Sequence, residues 1–181
     1  MPAQPESQFL IPNPANTRLF LVGMPGAGKS YWGNHLALAL NWHFIDLDNY
    51  ISLQEKASIS ALFASYGEKG FREREQKYLS EILKVAELPL VIACGGGTPC
   101  FFNNMELMKN NGIVVYLDLS IDELLERLNS STEVRPMLKG RGDIATYITK
   151  MLKERKVFYE QAHHILHSQF ISITTFEKII Q

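Results

Sequence analysis

The stretch FLVGMPGAGKSYW, Phe20 to Trp32, decides how the rest of the chain is read. Its opening belongs to an apolar run, RLFLVG (18–23), that ends in glycine as a buried strand should. Gly23-Met24-Pro25-Gly26-Ala27-Gly28-Lys29-Ser30 then satisfies the pattern G-x-x-x-x-G-K-[ST]. Glycines let the main chain wrap close to phosphate oxygens, and successive N–H groups point inward as an anion nest. A helical pattern follows from Lys29 to Leu40, with Trp32, Leu36 and Leu40 spaced four apart, and its N-terminal dipole faces the same charge. Lys29 can bridge the outer phosphates of a nucleotide, and Ser30 can ligate Mg²⁺. A glycine-rich turn that binds nothing is the alternative, but an apolar strand before and a helix after supply the context the motif requires.

Working outward, strands alternate with helices. WHFIDLD (42–48) reads as a second strand ending in two acids, LPLVIAC (88–94) as a third and GIVVYLDL (112–119) as a fourth, with FISIT (170–174) a candidate fifth. SISALFASYG (58–67) is a short helix capped by Ser58, with an apolar face of Ile59, Leu62, Phe63 and Tyr66 and a stop at Gly67. A longer helix is expected from about 68 to 87 and another near 144–163, and Ser120 with Glu123 forms a capping box opening a helix near 121–128. This alternation predicts an α/β fold whose parallel sheet is covered on both faces.

The whole chain suits one domain: 181 residues, 46% of them hydrophobic. A formal net charge of −1 provides no broad basic surface for nucleic acid or an anionic membrane. No apolar run is long enough to span a bilayer, and no secretory signal pattern opens the chain. Cys94 and Cys100 fit no zinc spacing and read as reduced thiols of a cytoplasmic protein, Cys94 in the core. Residues 1–16 carry four of the eight prolines without periodicity and are expected to be a mobile tail. Mixed surface charge without a heptad seam makes a monomer the default.

The cradle alone does not choose among GTPases, motors, ATPases and small-molecule kinases. No Asn-Lys-x-Asp run reads guanine, and a motor would need more chain. Two arginines are more telling. Arg72 shares a helical face with Glu75, Leu79 and Ile82, and Arg155 lies in the stripe of Ile148, Met151, Leu152, Phe158, Tyr159 and Ala162. A cation on an apolar stripe needs an anion, which is either a structural partner such as Glu75 or a bound carboxylate or phosphate. Asp46 and Asp48 fall on one side of the second strand at its C-terminal end, where α/β sheets open to ligands; one acid can hold Mg²⁺ while the next receives a hydroxyl proton. A solvated pair of acids is the plainer reading. Gly95-Gly96-Gly97 at the same edge implies that something must approach the backbone closely. His163 and His167, four apart on the expected helix, are read as surface or capping histidines, with metal binding as the alternative.

In these ordered pieces (GMPGAGKS, FIDLD, GEKGFREREQ, GGG, VRPML and ERKVFY) the chain resembles the shikimate kinases from Arg18 to about His163. The resemblance implies a three-layer α/β/α fold around a parallel sheet of about five strands, with substrate-binding helices at 48–87 and a lid at 129–143. It implies that ATP and shikimate are the small-molecule partners, with Mg²⁺ as cofactor. Gly26, Ala27, Gly28, Lys29, Ser30 and Tyr31 would contact ATP, and Ser30 with Asp46 would organise the metal. Asp48 would hydrogen-bond the acceptor's ring hydroxyls and assist deprotonation, Arg72 and Arg155 would grip its carboxylate, and Gly95, Gly96 and Gly97 would line its site. Arg135 would fold over the transferring phosphate and Arg127 would stack on adenine. Departures are Ala93, where relatives often carry a serine holding a magnesium-bound water, and the C-terminal stretch, which lacks the familiar adenine loop. The alternatives are another small-molecule kinase, such as a gluconate kinase, and a nucleotide-sensing module acting on a partner.

Overall fold

The computed structural model describes residues 17–86, 89–130 and 143–181. The expected tail 1–16, Arg135 and nearly all of the expected lid lie outside the described residues. In chain order the elements are β1 (Arg18–Val22), α1 (Lys29–Leu40), β2 (His43–Asp46), α2 (Leu47–Glu55), α3 (Ile59–Val85), β3 (Leu90–Ala93), α4 (Asn104–Lys109), β4 (Ile113–Asp118), α5 (Ile121–Ser130), α6 (Ile144–Tyr159), β5 (His164–His167) and α7 (Ile173–Ile180).

Five parallel strands form one sheet in the order β2-β3-β1-β4-β5. Successive side chains of a strand point to opposite faces, and in β1, β3 and β4 both sets are buried, so helices cover both faces and the fold has three layers. Leu21 and Asp46 both register with Ala93, which aligns the carboxyl ends of β1, β2 and β3. The chain winds one way from β1 and the other way from β3, so those ends open a crevice beside β1.

Local chemistry sets most boundaries. Ser58 caps α3 by accepting from the Ala61 N–H at 3.2 Å. The capping box also forms: the Ser120 N–H donates to Glu123 at 2.8 Å, and the Glu123 N–H donates to the Ser120 hydroxyl at 3.3 Å. Gly67 (φ 65°, ψ −176°) breaks the helical path as expected, and the chain resumes helix directly, so α3 is two helices across a kink. Leu62 is buried on the expected face, whereas Tyr66 is exposed and takes the Arg74 guanidinium 3.5 Å from its ring centre.

Three expectations need correction. The second strand stops at Asp46, whose carboxylate caps α2 by accepting from the Asn49 N–H at 3.1 Å, so Asp48 stands in the first turn of a helix. The fifth strand is His164–His167, not 170–174: Ser172 caps α7 through the Thr175 N–H at 3.2 Å, and buried Phe176 and Ile180 hold that helix to the body. His163 consequently precedes that strand and His167 ends it, so the two share no helical face. His163 accepts from the Val114 N–H at 3.0 Å, and His167 meets Asp118 at 3.1 Å.

Candidate active site

The cradle lies between β1 and α1. Gly23, Gly26 and Gly28 have φ of 141°, 89° and 88°, a region where side chains strain the backbone, and Gly28 leads directly into α1. The Lys29 ammonium donates to the Gly23 and Met24 carbonyls at 2.9 Å each, so it is held over the loop. One residue on, the Ser30 hydroxyl donates to the Asp46 carboxylate at 2.5 Å. Asp46 is itself fixed by capping α2, so two hard oxygens converge beside the cradle.

Asp48, in the first turn of α2, faces the same space. Burial first, then the charges of Glu75 and Asp46, push its carboxyl up to about 6, against Lys29 and Arg72. A carboxylate poised there accepts a proton near neutral pH far better than an exposed one.

Arg72 is buried, and its guanidinium donates to Glu75 at 2.8 Å and to exposed Glu68 at 3.4 Å. Phenyl rings of Phe63, Phe71 and Phe101 surround it, with centres 5.7, 5.3 and 4.7 Å away. Glu75 is fully buried and also accepts from the Thr98 hydroxyl at 2.5 Å. The structural partner anticipated for Arg72 is therefore real. Arg155 differs. It is buried on α6, and among the described residues no carboxylate lies within ion-pair range and its Nη1 has no hydrogen-bond partner. A buried guanidinium nitrogen left so is costly, and a ligand carboxylate would satisfy it.

The glycine run explains itself by space. A Cβ on Gly97 would stand 2.3 Å from Arg72 Nη2, one on Gly95 2.7 Å from Glu75 Oε1, and one on Gly96 2.8 Å from the Pro25 ring. What approaches the backbone there includes the protein's own arginine.

One cavity of about 480 Å³ joins these groups: Gly26, Gly28, Lys29, Ser30, Tyr31, Asp46, Asp48, Arg72, Gly95, Gly96, Gly97, Arg127 and Arg155 all line it. Ala27 is fully buried, and its carbonyl accepts from Arg127 at 3.2 Å, which holds that arginine against the cradle. Tyr31 is exposed at the rim, its ring tilted over His35 at 4.0 Å. The lining also includes Asn49, Phe63, Phe71, Glu75 and Met151, which sequence reading did not place in the site. Phe63 and Met151 were visible only as members of apolar stripes, which look alike whether a stripe faces core or cavity. Cys94 lies in the wall as well as the core; burial pushes its thiol well above the ordinary range, which leaves it inert.

The family model for shikimate kinase matches residues 25–181. A shikimate kinase from Azobacteroides pseudotrichonymphae genomovar. CFP2 is 43% identical over 166 residues, spanning 91% of this chain and 95% of that relative. Among solved structures, a shikimate kinase from Bacteroides thetaiotaomicron matches with a TM-score of 0.84 at 36% identity, over 91% of this chain and 98% of the other. One from Acinetobacter baumannii, in complex with shikimate, matches with a TM-score of 0.80 at 35% identity, over 91% of each chain.

Proposed function

This chain belongs to the shikimate kinase family, and from that premise we propose how its residues divide the work. The chain is a shikimate kinase: it transfers the γ-phosphoryl group of ATP to the 3-hydroxyl of shikimate, giving shikimate 3-phosphate and ADP, in aromatic amino acid biosynthesis. The observation that carries the assignment of roles is Arg155, a buried cation with no carboxylate in ion-pair range among the described residues, which lines the same cavity as Lys29 and Asp48.

Residues 17–181 act as one kinase domain, with 48–87 forming the acceptor side and 129–143 the lid. Lys29 and the cradle N–H groups hold the ATP phosphates, Tyr31 and Arg127 lie toward the base, and Arg135 belongs to the lid. Arg72 and Arg155 orient shikimate through its carboxylate, so that the 3-hydroxyl faces the γ-phosphate. Arg72 is preset by Glu75 and its phenyl rings, so it arrives ordered, and Arg155 supplies the uncompensated charge. Asp48 accepts a hydrogen bond from the 3-hydroxyl and takes its proton as the new P–O bond forms. Gly95, Gly96 and Gly97 let the ring lie against the main chain.

Ser30 and Asp46 present the hard oxygen donors that Mg²⁺ prefers alongside phosphate and water, so this pair fits the metal. Bound there with ATP, Mg²⁺ supplies neutralisation of charge on the β- and γ-phosphate oxygens. The reaction belongs in the cytoplasm, where ATP is abundant, and no helix among the described residues is long and apolar enough to cross a membrane. The proposed working unit is a monomer, in keeping with a sequence that carries no heptad seam.

A coupled assay for ADP tests the reading. Shikimate is expected to stimulate ADP release by orders of magnitude over ATP alone, and gluconate is expected to leave it at the basal rate. ADP release indifferent to shikimate would overturn it.

A further inference from the structure

Resting on the carboxylate-clamp reading above, we propose that Thr98 is a positioning residue for the acceptor. Its hydroxyl occupies one oxygen of Glu75, confines Glu75 to a single bond with Arg72, and so leaves Arg72 a nitrogen for the incoming carboxylate. Thr98 is fully buried and opens a single helical turn, Thr98–Cys100, directly after the glycine run. Its main chain is tied on both sides. The Thr98 N–H donates to the Gly95 carbonyl at 3.1 Å, and the Thr98 carbonyl accepts from the Asn104 side chain at 3.0 Å. The Cys100 N–H donates back to the Gly97 carbonyl at 2.9 Å, and the turn delivers the Phe101 ring to 4.7 Å from Arg72. Thr98 is therefore placed by the same backbone that lines the acceptor's end of the cavity.

Glu75 is a fully buried carboxylate, and each of its oxygens needs a donor. Among the described residues two donors reach it, and they divide it between them. Arg72 Nη1 donates to Oε2 at 2.8 Å, and the Thr98 hydroxyl donates to Oε1 at 2.5 Å. A carboxylate beside a guanidinium otherwise tends to close a two-bond fork, its second oxygen taking the neighbouring nitrogen. Here that nitrogen is Nη2. It reaches exposed Glu68 at 3.4 Å, a long bond that an incoming carboxylate can replace. Nη2 also stands 2.3 Å from where a Cβ on Gly97 would be, and Gly97 and Arg72 both line the cavity.

Thr98 thus acts through Glu75 and not on the ligand. Its hydroxyl is neutral, so it fixes the carboxylate without cancelling the charge that holds Arg72. Remove the hydroxyl and Oε1 is an unsatisfied acceptor in the interior, which is costly. The relief at hand is the second arm of the Arg72 fork, and Nη2 is then committed to Glu75.

Thr98→Val keeps the shape of the side chain and removes the donor. The shikimate KM is expected to rise about tenfold, the size of one hydrogen bond to a charged group. kcat and the ATP KM should stay within about twofold of the parent, and an unchanged ATP KM also certifies that the variant is folded. Thr98→Ser retains the hydroxyl and should hold the shikimate KM within about threefold of the parent. Glu75→Gln presents a single oxygen, so no fork can close, and in that background Thr98→Val should add no further loss. An acceptor analogue with the carboxylate reduced to a primary alcohol should give the same KM with parent and Thr98→Val. Should Thr98→Val not fold, Thr98→Ala takes its place in the same comparisons. Four results would overturn the proposal: an unaltered shikimate KM in Thr98→Val, an equal loss in Thr98→Ser, an additive loss in the double variant, or an equal loss with the alcohol analogue. If Arg155→Ala leaves the shikimate KM unchanged, the clamp reading fails; if it raises KM while Thr98→Val is silent, only the present proposal fails.

Discussion

Burial, together with the nearby charges of Glu75 and Asp46, holds the Asp48 carboxyl up at about 6, while Lys29 and Arg72 pull it down. Its unfolded value is 3.8, so between these limits the folded chain binds the proton more tightly. This contribution to stability is fully present below 3.8 and is lost as pH rises through about 6. Asp48→Asn should therefore make the protein more stable at neutral pH, by on the order of 2 kcal/mol, and the gain should vanish in acid; urea titrations at two pH values measure it. Turnover should move the opposite way, falling roughly a hundredfold or more with ATP still bound, and parent kcat should decline as pH drops below about 6. Gly97 makes a second residue-scale case. Its φ of −96° is ordinary, so the constraint is space alone. Gly97→Ala drives a methyl group onto Arg72, and steady-state kinetics should show the shikimate KM raised about tenfold or more, with the ATP KM little affected.

At the scale of elements, α3 depends on one backbone conformation. Gly67 pairs φ 65° with ψ −176°, a combination open essentially to glycine, and nothing lies within 4 Å of where its Cβ would be. Gly67→Ala should thus cost about 1–3 kcal/mol through the backbone alone, read as a lowered Tm, and should raise the shikimate KM by re-aiming the segment that carries Phe63. Glycine after an apolar stripe was legible as a stop; that helix resumes at once was not, because resumption depends on Phe71, Leu79 and Ile82 finding the core. The edge of the sheet was misread for a related reason. His164–His167 has only Leu166 buried and little strand character, yet it pairs with β4 through its main chain. The segment 170–174 has better alternation, but the Ser172 cap and the burial of Phe176 direct it into α7.

At the scale of the whole molecule, the cavity joins a cradle near the N-terminus to an arginine on α6, so ligands at its two ends should report separately. Shikimate at a hundredfold excess over its Kd should stabilise the parent by about 2.7 kcal/mol. In Arg155→Ala, the same shikimate concentration should produce almost no thermal shift, while ATP with Mg²⁺ shifts both proteins equally; parallel loss of both shifts would argue against two separable subsites. The cradle, the order of most elements and the oddity of two stripe arginines could all be read from the chain itself, because each is written in spacing of a few residues: glycines that free a turn, periods of two and 3.6, caps that meet N–H groups one turn away. Only the tertiary structure decided that Asp48 belongs to a helix, and that Arg72 brings its own acid while no described carboxylate reaches Arg155. Those facts depend on which distant groups share a desolvated space, where burial sets the cost of every unpaired charge, and no local spacing encodes that.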